Sequence, residues 1–253
     1  MDAPYYDNYW SSRDTARTRA RSRRRAEIAL GLLSQAASQR SLLEVGCGPG
    51  WALDVFAAGG FAVRGIDLSP AAVEHAREQG HDAHVLDISR MEIEASYDVV
   101  AALEVLEHTV DPLGVLERLT QAVRVGGQLV VSLPNEFSLA RRVGILFGRP
   151  GFGGHDDPHV RHFDVAAARR LFEAAGLAIL AHRFDGLLPP RWGVVKRIVE
   201  PAVGLWPGLL ALSGVYLLAR PGEATSAGSE EMATAQELPK AAKQQLPTAK
   251  KGG

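Results

Sequence analysis

A glycine-rich turn between two apolar runs is the feature that most constrains this chain. Residues 42–45 form a short, mostly apolar run, and glycines follow at alternate positions, Gly46, Gly48 and Gly50. A stretch of helical character comes next, and a second apolar run ends at Asp67. We therefore predict a strand, a tight turn, a helix and a second strand that ends in a carboxylate. This arrangement binds a nucleoside at the C-terminal edge of a parallel sheet.

The glycine spacing argues against a phosphate-bearing ligand. A dinucleotide site reads G-x-G-x-x-G and places a helix N-terminus against a pyrophosphate, whereas this chain reads E-x-G-x-G-x-G. Glu44 adds negative charge beside the turn, and Pro49 removes one backbone N–H. The G-K-[ST] sequence of a phosphate-binding P-loop does not follow. A ligand with an ammonium group and no phosphate fits this turn better.

The segment resembles the first motif of the class I S-adenosylmethionine-dependent methyltransferases. The resemblance implies that the glycine turn lies against the methionyl part of the cofactor and that Glu44 helps to hold its amino group. It favours Asp67 as the ligand of the ribose hydroxyls, and an N-cap role for Asp67 or Ser69 is compatible with this. Asp87 would meet the adenine amino group, with Ile88 packed on the ring, unless Asp87 is only a surface turn residue. The predicted cofactor-binding residues are Glu44, Gly46, Cys47, Gly48, Gly50, Asp67, Leu68, Asp87, Ile88 and Glu104.

Residues 97–108 read Y-D-V-V-A-A-L-E-V-L-E-H. They resemble the fourth-strand motif of the subgroup that contains the ubiquinone-biosynthesis O-methyltransferases. On this resemblance Glu104 and Glu107 lie where the strand opens onto the ligand face, and Glu104 is a candidate cofactor contact. His108 is a candidate general base, because histidine titrates near neutral pH. It is equally compatible with a structural role in orienting the loop.

Three histidines and three aspartates lie within residues 155–164. Such a cluster offers nitrogen and oxygen ligands to a metal, but the spacing matches no closed zinc pattern, and we predict no metal site. A loop that faces the substrate is the better interpretation, because loops at this edge of a sheet complete the site. His159 and His162 join His108 as candidate catalytic residues.

Strand and helix signals alternate from residue 41 onward. We expect an α/β fold with a Rossmann-like, doubly wound, mostly parallel seven-stranded sheet that carries helices on both faces. The continuous apolar character of the strands suits a sheet that is covered on both sides. The predicted strands are 42–46, 61–67, 83–86, 97–103, 128–133, 177–184 and 214–219, and the predicted helices are 51–58, 70–80, 112–124 and 164–175.

The chain divides into three predicted parts. Residues 1–40 form an aromatic and arginine-rich segment with a helix that ends near Ser38. Residues 41–220 form the methyltransferase domain, with insertions near 137–163 and 187–212. Residues 221–253 have no apolar periodicity and are predicted to be a disordered tail.

Charge and hydropathy exclude several classes. The net charge of −1 gives no reason to expect nucleic acid as a partner. Cys47 is the one cysteine, which suits a reducing compartment. A signal-peptide core and an apolar run of spanning length are both missing from the sequence. We therefore expect a cytoplasmic protein, although both insertions combine arginine or lysine with apolar residues, as interfacial helices on anionic lipid do. A lid or a dimer face would explain the same pattern.

Residues 13–25 hold seven arginines and one acidic residue. Such a run can contact nucleic acid or anionic lipid, but we expect a solvated helix face.

The sequence as a whole predicts an enzyme that moves a methyl group to a small-molecule acceptor, possibly apolar or aromatic, at oxygen. A non-catalytic cofactor-binding scaffold is one alternative, and an RNA or protein methyltransferase is another. Against an RNA or protein methyltransferase, the sequence has no Asn-Pro-Pro-Tyr type motif after strand four. A dehydrogenase has the wrong glycine pattern. Acceptor, oligomeric state and catalytic base do not follow from the sequence.

Overall fold

The computed structural model describes residues 7, 15–33, 40–90, 97–149, 159–186 and 201–221. The predictions for the remaining residues, including the tail 222–253 and most of the second insertion, lie outside this range. The helices are α1 (Thr15–Leu32), α2 (Trp51–Ala58), α3 (Pro70–Glu78), α4 (Pro112–Ala122), α5 (Leu139–Leu146), α6 (Val165–Ala174) and α7 (Pro207–Leu210). The strands are β1 (Ser41–Val45), β2 (Ala62–Asp67), β3 (Ala83–Val85), β4 (Tyr97–Leu103), β5 (Val123–Pro134), β6 (Ala178–Gly186) and β7 (Ala211–Ala219).

The strands form one seven-stranded sheet in the order β3-β2-β1-β4-β5-β7-β6. Pairs from β3 through β5 are parallel, and β7 is antiparallel to both of its neighbours. The order reverses at β1, so the turns after β1 and β4 open at one edge, where an α/β sheet binds its ligands. The predicted fold class is confirmed, as are the bounds predicted for α2 and β4.

Alternate residues of the central strands face opposite sides of the sheet and enter two cores. Leu43, Val100 and Val131 belong to a core that also contains Leu116 of α4 and Phe172 of α6. The neighbouring residues on the same strands, Leu42, Val99 and Val130, belong to a second core together with apolar residues of α1 and α2. Helices therefore cover both faces, which explains the uninterrupted apolar runs in the sequence.

Two predicted boundaries differ from the structure by five residues or more, and the predicted start of the seventh strand at residue 214 lies three residues after its observed start at Ala211. The prediction starts the fifth strand at Gln128 and leaves Gly126-Gly127 as a turn, whereas β5 begins at Val123. Val123 pairs with Tyr97 and Gln128 pairs with Val99, so the register shifts between these two pairs and the extra residues lie in β5. Gly126, with φ of 74°, takes up this irregularity within the strand. The N-terminal helix ends at Leu32, earlier than the predicted Ser38.

Helix α1 is part of the packed structure. Its residues Ala26, Ile28 and Ala29 are buried in the second core. Three of its arginines reach carboxylates on other elements: Arg23 with Asp54 at 3.1 Å, Arg24 with Asp185 at 3.9 Å and Arg25 with Glu104 at 2.9 Å. The expected solvated face is wrong for Arg25, whose side chain is 22% exposed. The side chains of Arg23 and Arg24 remain 40% and 43% exposed, so for them it holds in part. All three arginines attach the helix to the domain.

Candidate functional site

The turn after β1 depends on three glycines. Gly46, Gly48 and Gly50 have φ angles of 72°, 52° and 86°, a left-handed backbone that other residues adopt only with strain. A Cβ atom on Gly46 would lie 2.6 Å from a methyl group of Val105, so the turn and the loop after β4 approach each other closely. The N–H groups of Gly46 and Cys47 donate to the carbonyl oxygen of Ile66, which fixes the turn to β2.

Asp67 holds the middle of this turn. Its Oδ2 atom accepts from the N–H of Gly48 at 2.8 Å, and its Oδ1 atom accepts from the N–H of Ser69 at 2.9 Å. Burial raises the pKa of Asp67, and these two hydrogen bonds oppose that shift. Ser69, not Asp67, is the N-cap of α3, since its side chain accepts from Ala72. A carboxylate oxygen has two lone pairs, so Asp67 retains capacity to accept a hydroxyl group.

Cys47 and Leu68 flank these groups. The side chain of Cys47 is buried in a small core with Leu53 and Val73, and a Cβ on Gly65 would lie 2.7 Å from its sulfur. This burial raises the pKa of the thiol. Leu68 is half-buried. The thiol of Cys47 is therefore packed in the protein core, and a contact of Cys47 with the cofactor stays a prediction.

The loop after β3 contains the predicted adenine contacts. Asp87 accepts from the N–H of Ser89 at 2.9 Å and pairs with Arg90 at 3.2 Å, so its carboxylate makes local contacts. Ile88 is buried in the first core together with Ile66. Asp87 and Ile88 follow β3, the neighbour of β2 in the sheet, and an adenine contact stays a prediction.

Three glutamates lie at the ends of β1 and β4. Glu44 is 2% exposed, and burial together with Asp67 raises its pKa well above the ordinary value. Glu107 is fully buried, and this burial together with the charge of Glu104 raises its pKa well above the ordinary value. Glu104 has φ of 59° and pairs with Arg25 at 2.9 Å. Strain of this kind in a residue other than glycine concentrates at functional sites.

The acidity of this edge fits S-adenosylmethionine. One carboxylate oxygen each of Glu44 and Glu104, and both of Glu107, are buried and lack a hydrogen-bond partner among the described residues. Buried carboxylates need a cation or a proton to offset the loss of hydration. A cofactor with an ammonium group and a sulfonium supplies such positive charge. Glu44, Asp67 and Glu104 are the side chains that would hold it.

The three candidate catalytic histidines meet near the same edge. His108 ends a 3₁₀ turn after β4, and its ring packs edge-on against that of His159 with centroids 4.9 Å apart. The Nδ1 atom of His159 lies 2.7 Å from Oε1 of Glu136, and His162 lies close to the same glutamate. His155, Asp156 and Asp157 of the predicted cluster lie outside the described residues.

The histidine cluster contains two overlapping groups of donor atoms. Glu107, His108 and His159 form one group, and Glu136, His159 and His162 form the other; within each, the donor atoms lie within 4.8 Å of one another. One metal ion can bridge such distances. The absence of a metal site stays a prediction.

Sequence reasoning missed two residues of this edge. Glu136 follows Asn135 just after β5. The signal that could have identified it is a carboxylate at the end of a predicted strand. Arg25 lies 79 residues from its partner Glu104, and a pairing at that separation leaves no local sequence pattern.

Comparison with known proteins agrees with this architecture. Residues 16–182 match a family described as a methyltransferase domain. A protein of Mycolicibacterium smegmatis named "Probable S-adenosylmethionine-dependent methyltransferase" is 28% identical over 68% of this chain and 61% of its own. A ubiquinone biosynthesis O-methyltransferase of Aeromonas salmonicida is 33% identical over 55% of this chain and 63% of its own. The chain thus spans less than two thirds of the length of either relative.

A solved structure shows the same fold. The S-adenosylmethionine-dependent methyltransferase of Archaeoglobus fulgidus superposes with a TM-score of 0.56 at 16% identity, over 81% of this chain and 94% of that one. At this identity the likeness concerns the fold alone. The family match covers well over half of the chain. The chain therefore belongs to the methyltransferase domain family and has the fold of the class I S-adenosylmethionine-dependent methyltransferases.

Proposed function

We propose that this protein transfers a methyl group from S-adenosylmethionine to the oxygen of a small-molecule acceptor by in-line displacement. The observation that carries the proposal is the glycine turn, which Asp67 holds through Gly48 beside the buried Glu44. A phosphate ligand is disfavoured by these carboxylates, and a cationic nucleoside is favoured. The names of the relatives support the activity, and the O-methyltransferases among them support oxygen as the methylated atom.

Methyl transfer requires mainly alignment from the protein. The bound cofactor supplies an electrophilic methyl group on a sulfonium. The protein must hold the acceptor in line with it, and such positioning is worth up to about 7–11 kcal/mol. A base is needed only when the acceptor loses a proton, as a phenol or alcohol does. His108, His159 and His162 are the candidates, because they lie where the ends of β4 and β5 meet the loop before α6.

The first insertion supports an apolar acceptor taken from a membrane surface. Helix α5 has no buried residue, and Leu146 and the adjacent Phe147 are 79% and 75% exposed. Residues 137–149 contain three arginines and no acidic residue. Basic and apolar side chains together suit binding to anionic lipid. None of the described helices is long and apolar enough to cross a bilayer.

A second segment of the described chain also exposes apolar side chains. Leu205 and Trp206 are 73% and 63% exposed. The side-chain amide of Asn135 donates to the carbonyls of Pro207 and Ala211, at 3.3 and 2.9 Å, and so ties the residues that follow Trp206 to the end of β5, just before the first insertion. The two segments form what we call the apolar rim, which consists of residues 139–149 and 205–206.

Calorimetric titration with S-adenosylhomocysteine tests the cofactor, and a radiolabelled methyl-transfer assay on a panel of phenols and prenylated quinone precursors tests the activity. Micromolar binding followed by turnover of at least one oxygen acceptor is expected. Binding without turnover on the whole panel would favour a scaffold. Failure of the wild type to bind would overturn the proposal.

Vesicle co-sedimentation tests the apolar rim. We expect binding to vesicles that contain phosphatidylglycerol, weaker binding to pure phosphatidylcholine, and loss of binding in the variant Leu146→Ser/Phe147→Ser. Val125→Ser is the matched control, since Val125 is 81% exposed outside the rim. Equal binding of both variants would contradict the membrane assignment.

A further inference from the structure

Glu136 is a buried carboxylate with two cationic neighbours. It is fully buried directly after β5; its Oε1 atom lies 2.7 Å from Nδ1 of His159, and its Oε2 atom lies 3.0 Å from the guanidinium of Arg141. Burial alone would raise the pKa of Glu136, but the hydrogen bond with His159 and the charge of Arg141 outweigh it and hold the pKa below its ordinary value. Glu136 is therefore anionic at neutral pH and accepts the hydrogen bond from Nδ1–H.

The loop that carries His159 is fixed against the ends of both neighbouring strands. The N–H groups of Val160 and Arg161 each donate to the carbonyl oxygen of Glu107 at 2.9 Å, and the N–H of Glu136 donates to that of Phe163. The ring of His159 therefore lies beside His108, with one of its nitrogen atoms within 4.8 Å of the donor atoms of Glu107 and His108.

We propose that Glu136 is a positioning residue that holds His159 in the tautomer with the proton on Nδ1, so that Nε2 accepts the proton of the methyl acceptor. The inference rests on the proposed function. In neutral imidazole one nitrogen carries the proton and the other the lone pair, and a hydrogen bond to one of them decides which. Glu136 supplies that hydrogen bond.

The acceptor oxygen forms a bond to the methyl carbon, the carbon–sulfur bond breaks, and its electron pair stays on sulfur. The acceptor proton passes to Nε2 of His159. The resulting imidazolium is stabilised by the Glu136 carboxylate until water removes the proton.

A purely structural ion pair between strand β5 and the loop is the competing explanation. Glu136→Gln distinguishes the two, because the amide has nearly the same shape and still accepts a hydrogen bond, but it carries no charge and also presents donors. Glu117→Gln is the matched control, since Glu117 is exposed on α4.

The first measurement needs no acceptor. Long-range ¹H–¹⁵N correlation spectra of ¹⁵N-histidine-labelled protein at pH 8, assigned with His159→Gln, report the tautomer of each ring. We expect His159 to carry its proton on Nδ1 in the wild type and in Glu117→Gln, and to become a mixture in Glu136→Gln. A wild-type His159 protonated on Nε2 would overturn the inference even if the variant does not fold.

The second measurement compares catechol, which must lose a proton, with 4-nitrocatechol, which is largely ionised at pH 8. A general base such as His159 contributes about 10²–10⁴-fold. Loss of its fixed tautomer in Glu136→Gln should therefore lower kcat on catechol by at least ~10-fold and on 4-nitrocatechol by less than ~3-fold. Affinity for S-adenosylhomocysteine should not change. Equal losses of kcat on both acceptors would show that Glu136 has only a structural role, and would leave the proposed function intact. A wild type that binds no S-adenosylhomocysteine would overturn the proposed function. The tautomer measurement would then decide the role of Glu136 by itself.

Discussion

The backbone N–H of Gly48 donates to the Oδ2 atom of Asp67 at 2.8 Å, so the carboxylate that ends β2 holds the turn that follows β1. The two residues lie 19 positions apart, and the contact joins the ends of the neighbouring parallel strands β1 and β2, next to the point between β1 and β4 where the order of the sheet reverses. A residue assigned from the sequence to the ribose thus also organises the glycine turn. Its substitution should affect both the turn and the ligand.

Asp67→Asn should lower the affinity for S-adenosylhomocysteine at least ~10-fold, which corresponds to about 1.4 kcal/mol. An asparagine amide nitrogen cannot accept from either Gly48 or Ser69, so one of the two backbone N–H groups loses its partner. Calorimetry of both proteins measures the change. Asp82→Asn is the control, because Asp82 is half exposed and pairs with Arg64 outside the turn. Equal affinity of wild type and Asp67→Asn would contradict the assignment.

Gly46→Ala should destabilise the protein more than Gly60→Ala does. Both glycines have positive φ, 72° and 88°, and an alanine in that conformation costs roughly 1–2 kcal/mol. A Cβ on Gly60 meets nothing within 4 Å, whereas one on Gly46 lies 2.6 Å from Val105. Urea denaturation should therefore separate strain from steric overlap. We expect Gly46→Ala alone to lose cofactor binding, and equal unfolding free energies would show that the loop after β4 adapts.

The sequence predicted those parts of the fold that depend on local pattern. The run that ends at Asp67, the glycine turn and the cap at Ser69 each have a signature within a few residues, and the structure has the expected strand, turn and helix there. The turn predicted at Gly126-Gly127 is wrong, because a glycine pair marks a turn as readily as an irregularity within a strand.

Parts of the site that depend on contacts between distant residues did not follow from the sequence. His159 was a candidate because of its residue type, but its pairing with Glu136 depends on how the loop before α6 folds onto the end of β5. The arginines of α1 show the same limit. Their density indicated a solvated face, and only the packed helix shows that Arg25 reaches Glu104.

Glu104→Gly should be more stable than Glu104→Ala by about 1 kcal/mol, although glycine is the weaker residue elsewhere. Both variants lose the ion pair with Arg25, so their difference isolates the backbone, whose φ is 59° at this position. The same two substitutions at Glu117 in α4 form the control, where alanine should be the more stable by about 1 kcal/mol. Thermal denaturation of the four variants gives both differences. If alanine were more stable than glycine at position 104 as well as at position 117, the left-handed conformation of Glu104 would be contradicted.

Glu107→Gln should raise the unfolding free energy of the ligand-free protein, and the gain should grow with pH. Burial raises the pKa of Glu107 well above that of the unfolded chain, so the folded state retains a proton that the unfolded state has lost. The unfolding free energy then falls as pH rises above about 4.3, the ordinary value for glutamate, until the folded carboxyl itself ionises. Glutamine removes this decline, whereas Glu44 and Asp67 contribute equally to both proteins. Denaturation at pH 5, 6, 7 and 8 gives the unfolding free energy as a function of pH. The curves of wild type and Glu107→Gln should diverge as pH rises, whereas the curves of wild type and Glu117→Gln should stay parallel. Parallel curves for wild type and Glu107→Gln would show that a cation compensates the charge of Glu107 in the folded protein.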